Sequence, residues 1–242
     1  RSTSKDFRRW TKAEPIQVDE TPTIDHYSNA CIAYDRSPGI YLIFSSRFNV
    51  ARHPDPQAWS HPGVNDIAFL SSRDGLHFDY SFQEAFLRPG LDQGNWHDRG
   101  IYIERGILPT APGEISLYGM ENSHLATVRI RRYALRTDGF VSLQAGYAGG
   151  ECTTRPFTFA GKSLELNYST SAVGYVRVEI QDENGRPQPG FTLADCPEIF
   201  GDRIEGNVSW VGNGDLSVLA GKPVRLRFEL KDCDVYAFKF NA

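Results

Sequence analysis

Methionine and cysteine are scarce in this chain, and long apolar runs and basic blocks are missing from it. Its 242 residues include a single Met, Met120, and four Cys at 31, 152, 196 and 233. The cysteines show no C-x-x-C spacing, which removes the usual zinc pattern, and no metal or other cofactor is expected. Cys196 and Cys233 stay open to two readings, one disulfide or two buried thiols. No apolar stretch approaches the ~20 residues of a bilayer span, so no membrane partner is expected. The 26 Lys and Arg stand against 30 Asp and Glu, a net charge of −4, and nucleic acid is not an expected partner either. The chain opens on Arg1, from which we expect a processed product or a piece of a longer one.

What the chain has in quantity is the material of short strands and turns. Aromatics are 12% of it, with 22 Gly and 14 Pro, a mix that suits an all-β fold and not a helical bundle. One turn recurs. Ser4-Lys5-Asp6-Phe7-Arg8-Arg9-Trp10 is its first copy, Ser72-Arg73-Asp74-Gly75-Leu76-His77-Phe78 its second, and Arg136-Thr137-Asp138-Gly139-Phe140 a shorter third. The Asp side chain of such a turn accepts backbone N–H groups, Gly permits positive φ, and the aromatic covers the hairpin beneath. The aspartates are 68 and 64 residues apart, a spacing that predicts a repeat architecture with one turn at the outer edge of each β-propeller blade. Asp6, Asp74 and Asp138 are accordingly structural.

Residues 1–147 read as a partial β-propeller. Strands are predicted over 30–34, 40–45, 66–71 and 78–82 for one blade, and over 100–108, 114–119, 127–135 and 140–145 for the next. Two blades and a remnant leave open sheet edges, so further blades or self-association are expected to complete the ring. Tyr147-Ala148-Gly149-Gly150 marks a boundary. Residues 148–242 read as a β-sandwich or jelly roll, with strict apolar–charged alternation in Val224-Arg225-Leu226-Arg227-Phe228-Glu229-Leu230.

Phe69-Leu70-Ser71-Ser72-Arg73-Asp74-Gly75 resembles blades of the five-bladed propeller glycoside hydrolases, the β-fructosidase (family 32) and arabinanase/xylosidase (family 43) groups. Residues 131–142, Gly150-Glu151, residues 164–171, 224–228 and 231–236 resemble the propeller end and C-terminal sandwich of the same set. The resemblance covers nearly the whole chain and implies a secreted or periplasmic hydrolase of oligo- or polysaccharides, with this chain as its C-terminal part. It also implies three acidic residues at the channel mouth, mostly from earlier blades. The family's Trp-Met-Asn-Asp and Arg-Asp-Pro motifs do not occur here, and His53-Pro54-Asp55-Pro56 is no stand-in, so no catalytic residue is carried over.

From the residues themselves, the segments leading into the two inner strands are the candidates. Asp25-His26-Tyr27-Ser28-Asn29 and Asn95-Trp96-His97-Asp98-Arg99 each combine carboxylate, imidazole, aromatic and amide groups. A sugar site uses aromatic faces against C–H groups and polar side chains on hydroxyls. Glycoside hydrolysis adds a pair of carboxyl groups flanking the scissile bond. Asp25 and Asp98 are the candidate catalytic pair; His26, Tyr27, Asn95, Trp96, Arg99 and Glu121 are candidate substrate contacts. Against these stands the ordinary reading, in which Asp25 and Asp98 cap turns and Trp96 packs a loop. Trp210 and Tyr236 divide between a sugar-stacking platform and core packing. Two functions follow: a glycoside hydrolase, or a non-catalytic carbohydrate-binding or scaffold module of the same fold.

Overall fold

The computed structural model describes residues 1–19, 24–53 and 61–242. The protein is all-β, with several antiparallel sheets and, among the described residues, two single turns of 3-10 helix. Among the described residues no helix is long and apolar enough to cross a membrane. The chain divides into two compact units, Arg1–Leu135 and Arg136–Ala242.

In the first unit β1 (Gln17–Val18) precedes β2 (Asp25–His26), β3 (Ile32–Ala33), β4 (Tyr41–Asn49), β5 (Val64–Ser72) and β6 (His77–Phe78). β2 and β3 share one edge of β4, and β5 takes the other, all antiparallel. The outer edge of β5 receives Asp79 and Leu87 opposite Ser71 and Ile67. The central strand β4 is buried from Leu42 to Ser46 without alternation. Each face of the sheet has its own apolar cover. Ile43 and Leu70 pack with Phe78 and Tyr80 on one side. Phe44, Phe69 and Phe86 form a ring cluster on the other, with centroids 5.3 to 5.7 Å apart.

The second sheet has β7 (Ile101–Ile103) and β8 (Leu108–Ala111) along one edge of β9 (Glu114–Glu121), and β10 (Arg129–Arg136) along the other. Asn65 at the start of β5 ties it to the first sheet. Its Nδ2 donates to Ser46 Oγ (2.5 Å) and to the Ile101 carbonyl, and its Oδ1 accepts from Ile101 N (3.3 Å). The fourth strand expected over 140–145 is not part of this sheet.

That segment forms β11 (Leu143–Ala145) of the second unit, followed by β12 (Gly150–Thr153), β13 (Ser163–Asp182), β14 (Asp202–Val208) and β15 (Val224–Asn241). β11 and β12 pair with β15, β15 with β13, and β13 with β14. The unit therefore begins ahead of the expected boundary at Tyr147, because Leu143–Ala145 finds its partner in Val235, Asp234 and Cys233 near the end of the chain. Between Thr170 and Tyr175 the β13–β15 register shifts, setting residues 171–174 against Asp232 alone. The shift changes which positions of β15 face inward. Val224, Leu226, Phe228 and Leu230 are buried before it, Cys233 and Val235 after it. Both halves of the long strands thus feed one apolar cluster with Leu164, Leu166, Val176, Val178, Ile180 and Trp210.

Trp210 belongs to this core, 3% exposed, with its indole N–H donating to the Val178 carbonyl at 2.8 Å. Tyr236 lies 4.4 Å under the Arg136 guanidinium. The pair is therefore no sugar platform. All four cysteines are free thiols; Cys196 and Cys233 are buried, and burial raises both thiol pKa values.

Two of the three expected turns share one geometry. Asp74 Oδ1 accepts from Leu76 N (2.7 Å) and His77 N (2.8 Å), and Asp6 Oδ1 from Arg8 N and Arg9 N (2.8 Å each). Gly75 has φ +70°, and Phe7 occupies the same position at +60°. The third differs: the positive φ falls on Asp138 (+59°) and not on Gly139. Thr-Asp-Gly has the composition of the motif but folds as another turn, closed by Gly139 N on the Arg136 carbonyl (3.0 Å).

Candidate functional site

Strand alternation sorts the first candidate segment. Tyr27 N donates to the Ser46 carbonyl at 2.8 Å, extending the pairing of β2 with β4 by one residue. Asp25 and Tyr27 therefore project to one side of the strand and His26 to the other. Both Asp25 and Tyr27 are exposed, Tyr27 at 70%. His26 turns toward the core, where Nδ1 meets Ser45 Oγ at 2.9 Å and its ring stands edge-on to Tyr80, 5.6 Å away.

Tyr27 meets the second sheet. Its ring centroid is 6.3 Å from that of Tyr102, tilted by 53°. Tyr102 sits between Ile101 and Ile103, which are buried on the opposite face of β7. Burial first, then the neighbouring Tyr27, pushes its phenol pKa up to about 12. Arg99 lies close enough to both phenols to interact with them electrostatically. Its Nε and Nη2 fork onto Asp98 Oδ2 at 3.0 and 2.9 Å, and this pairing holds the guanidinium pKa above its ordinary value. Arg99 has φ +64°, a conformation costing a non-glycine residue roughly 1–3 kcal/mol. His97, 2% exposed, supports the loop from beneath, with Nδ1 3.7 Å from Asp98 Oδ1. Tyr27, Tyr102, Asp98 and Arg99 thus gather from both candidate segments and from β7.

The remaining candidates form a different group. Ile101 pairs with Glu121 and Tyr102 with Met120, so Glu121 projects from the opposite face of the sheet to Tyr102. Its buried carboxylate accepts from Arg129 Nη2 (2.7 Å), Arg131 Nε (2.8 Å) and Tyr133 Oη (2.8 Å). Burial and this carboxylate raise the Tyr133 pKa. Arg129 also reaches Asp92 Oδ2 at 2.5 Å and holds that carboxyl below its usual range, helped by Gly94 N. Asn95 is buried, donating to the Pro89 carbonyl (3.0 Å) and accepting from Asn122 N (3.0 Å). The Trp96 indole N–H donates to the Gly90 carbonyl at 2.7 Å, and the ring is 38% exposed. These bonds fix the 89–96 loop to the end of β9. Glu121, held by two arginines and the Tyr133 hydroxyl, joins the end of β9 to β10.

Tyr102 and the Arg129–Arg131–Tyr133 clasp escaped the sequence reading. An aromatic between two isoleucines reads only as strand; the signal was its outward parity at a candidate inner strand. Of His53-Pro54-Asp55-Pro56 only His53 lies within the described residues. Among those residues no three His, Cys, Asp or Glu side chains gather as a metal ion requires.

Comparison with known proteins returned no match: no family profile fits the chain, and neither a curated protein nor a solved structure is similar to it.

Proposed function

We propose that the protein binds carbohydrate on the face formed by Tyr27, Tyr102, Asp98 and Arg99, and that the two four-stranded sheets of its first unit are blades of propeller type carrying that face. The observation that carries this reading is the meeting of Tyr27 and Tyr102 beside the Asp98–Arg99 pair. The exposed ring of Tyr27 offers a surface to sugar C–H groups. The ion pair offers acceptors and donors for hydroxyls while remaining neutral as a unit. The strand order supports the blade reading: in each sheet an interrupted inner strand is followed by a meander. The second unit is an accessory β-sandwich in this scheme.

Hydrolysis is the second reading, favoured by one observation. Asp25 shares the exposed side of its strand with Tyr27, which brings a second carboxylate toward the face that holds Asp98. The experiment screens the full chain against a panel of neutral oligosaccharides for binding and for release of reducing ends. Saturable binding without turnover, retained in Asp25→Asn, supports the binding reading. Turnover abolished by Asp25→Asn or Asp98→Asn replaces it with the hydrolase. A chain that binds nothing in the panel contradicts both.

A further inference from the structure

At the bend of the second unit three irregular segments converge. Asp232 N donates to the Gly146 carbonyl at 3.1 Å. Residues 171–174 press so closely on this point that a Cβ on Gly174 would collide with the Asp232 carbonyl. Asp232 itself is held at φ +43°. On this base stand Tyr147 and Val173, 70% and 60% exposed. The Lys231 ammonium lies 4.9 Å from the centre of the Tyr147 ring. Tyr175 is directly opposite Lys231 in the β13–β15 pair, so the two side chains leave the same face of the sheet. Arg177 is the next residue along that face. It covers the Tyr175 ring at 5.4 Å, and its charge is answered by Glu198 (3.2 Å) and Glu229 (3.7 Å). Lys231 forms no ion pair among the described residues, and its contact is the tyrosine face.

We propose that this surface is a binding site for an acidic sugar of a polysaccharide, with a pyranose ring against the exposed side of Tyr147 and its carboxylate on Lys231; Tyr175, covered by Arg177 and bonded to Glu229, forms the floor. A neutral sugar would leave the ammonium without an anion, and a free inorganic anion would use the ammonium alone and not the side of the Tyr147 ring that Lys231 leaves exposed. A uronate uses both, through ring contact and a charge-assisted hydrogen bond. The site is separate from the face carrying Tyr27 and does not depend on it.

The test is native electrophoresis of the full chain through gels containing either polygalacturonate or neutral dextran. The site predicts retardation by polygalacturonate and not by dextran. Lys231→Met should raise the apparent dissociation constant about tenfold, as loss of one charge-assisted bond does. Tyr147→Ala should weaken retardation as well, and Tyr27→Ala should leave it unchanged. Tyr147 is exposed and Lys231 projects from the sheet face, so thermal transitions matching the parent establish that the variants fold. No retardation, equal retardation in both gels, or a Lys231→Met variant that migrates like the parent overturns the proposal.

Discussion

Strands of 20 and 18 residues carry the second unit, whereas among the described residues no strand of the first exceeds nine. The long strands wrap one continuous apolar cluster. The shorter ones interleave apolar side chains with buried Ser45, Ser46, Asn65, Ser116 and Glu121. Backbone strain is distributed in the same sense. Phe7, Ala30, Arg99, Asn122 and His124 have positive φ in the first unit, against Asp138 and Asp232 in the second. Polar groups buried in specific networks, together with strained loops, give up stability for the placement of side chains. The contrast assigns most of the apolar stabilisation to the second unit and most of the chemical definition to the first.

The largest expected effects come from emptying the cores. Leu226→Ala, at a fully buried position of β15, should cost about 4 kcal/mol, because long paired strands leave the cavity little room to collapse. Leu117→Ala, equally buried in β9, should cost about 3 kcal/mol. Urea unfolding of the two variants measures both, and a larger loss for Leu117 would break the comparison.

Next is Arg136, the first residue of the second unit. Its guanidinium donates to Asn167 Oδ1 (2.9 Å), Asp202 Oδ1 (2.8 Å) and the carbonyls of Tyr168 (3.3 Å) and Arg203 (3.1 Å). Arg136→Met should destabilise by about 2 kcal/mol, the range for hydrogen bonds to a charged group, read in the same urea experiment.

Smaller effects separate the two matching turns. Gly75→Ala should destabilise by about 1 kcal/mol by placing a side chain in the left-handed region, and Phe7→Gly should relieve the same strain but gain less, because it also removes the edge-on contact with Trp10 at 5.1 Å. A loss of stability in Gly75→Ala with no loss in Phe7→Gly, read as shifts in the unfolding midpoint, would establish that the turns are conformational equivalents.

The smallest effect is one of pH. The Asp74 carboxyl is held well below the usual carboxylate range by the His77 side chain, then by the N–H groups of His77 and Leu76. Its folded pKa lies under the unfolded value of ~3.9. Its contribution is therefore present above that value and disappears as pH falls through the folded pKa. Between about pH 5 and about pH 2 the parent should lose more stability than Asp74→Asn. Parallel loss in the two proteins would remove the role given to this carboxylate.

The strands of the first sheet were legible because aliphatic runs lie between turns whose chemistry is local. Ser72, Asp74 and Gly75 specify their hairpin without help from distant residues. Segment 140–145 was misplaced for the opposite reason: its partner is β15, and pairing across such a distance leaves no mark in local composition. Asp138 shows the limit of motif composition, since Thr-Asp-Gly does not fix which residue adopts positive φ. At the candidate face Tyr27, Asp98 and Arg99 were found through their mixture of groups. Tyr102 needed the register of β7 against β9, and Glu121 needed its arginine partners, before either could be placed.

Carbohydrate recognition by the Tyr27–Tyr102 face stands or falls on calorimetric titration of the parent and of Tyr27→Ala with the tightest-binding oligosaccharide of the panel. Tyr27 is exposed, so its truncation should leave the fold intact while weakening binding by about tenfold or more, the loss of one aromatic contact surface. An affinity unchanged by Tyr27→Ala would contradict the claim and move recognition away from this face.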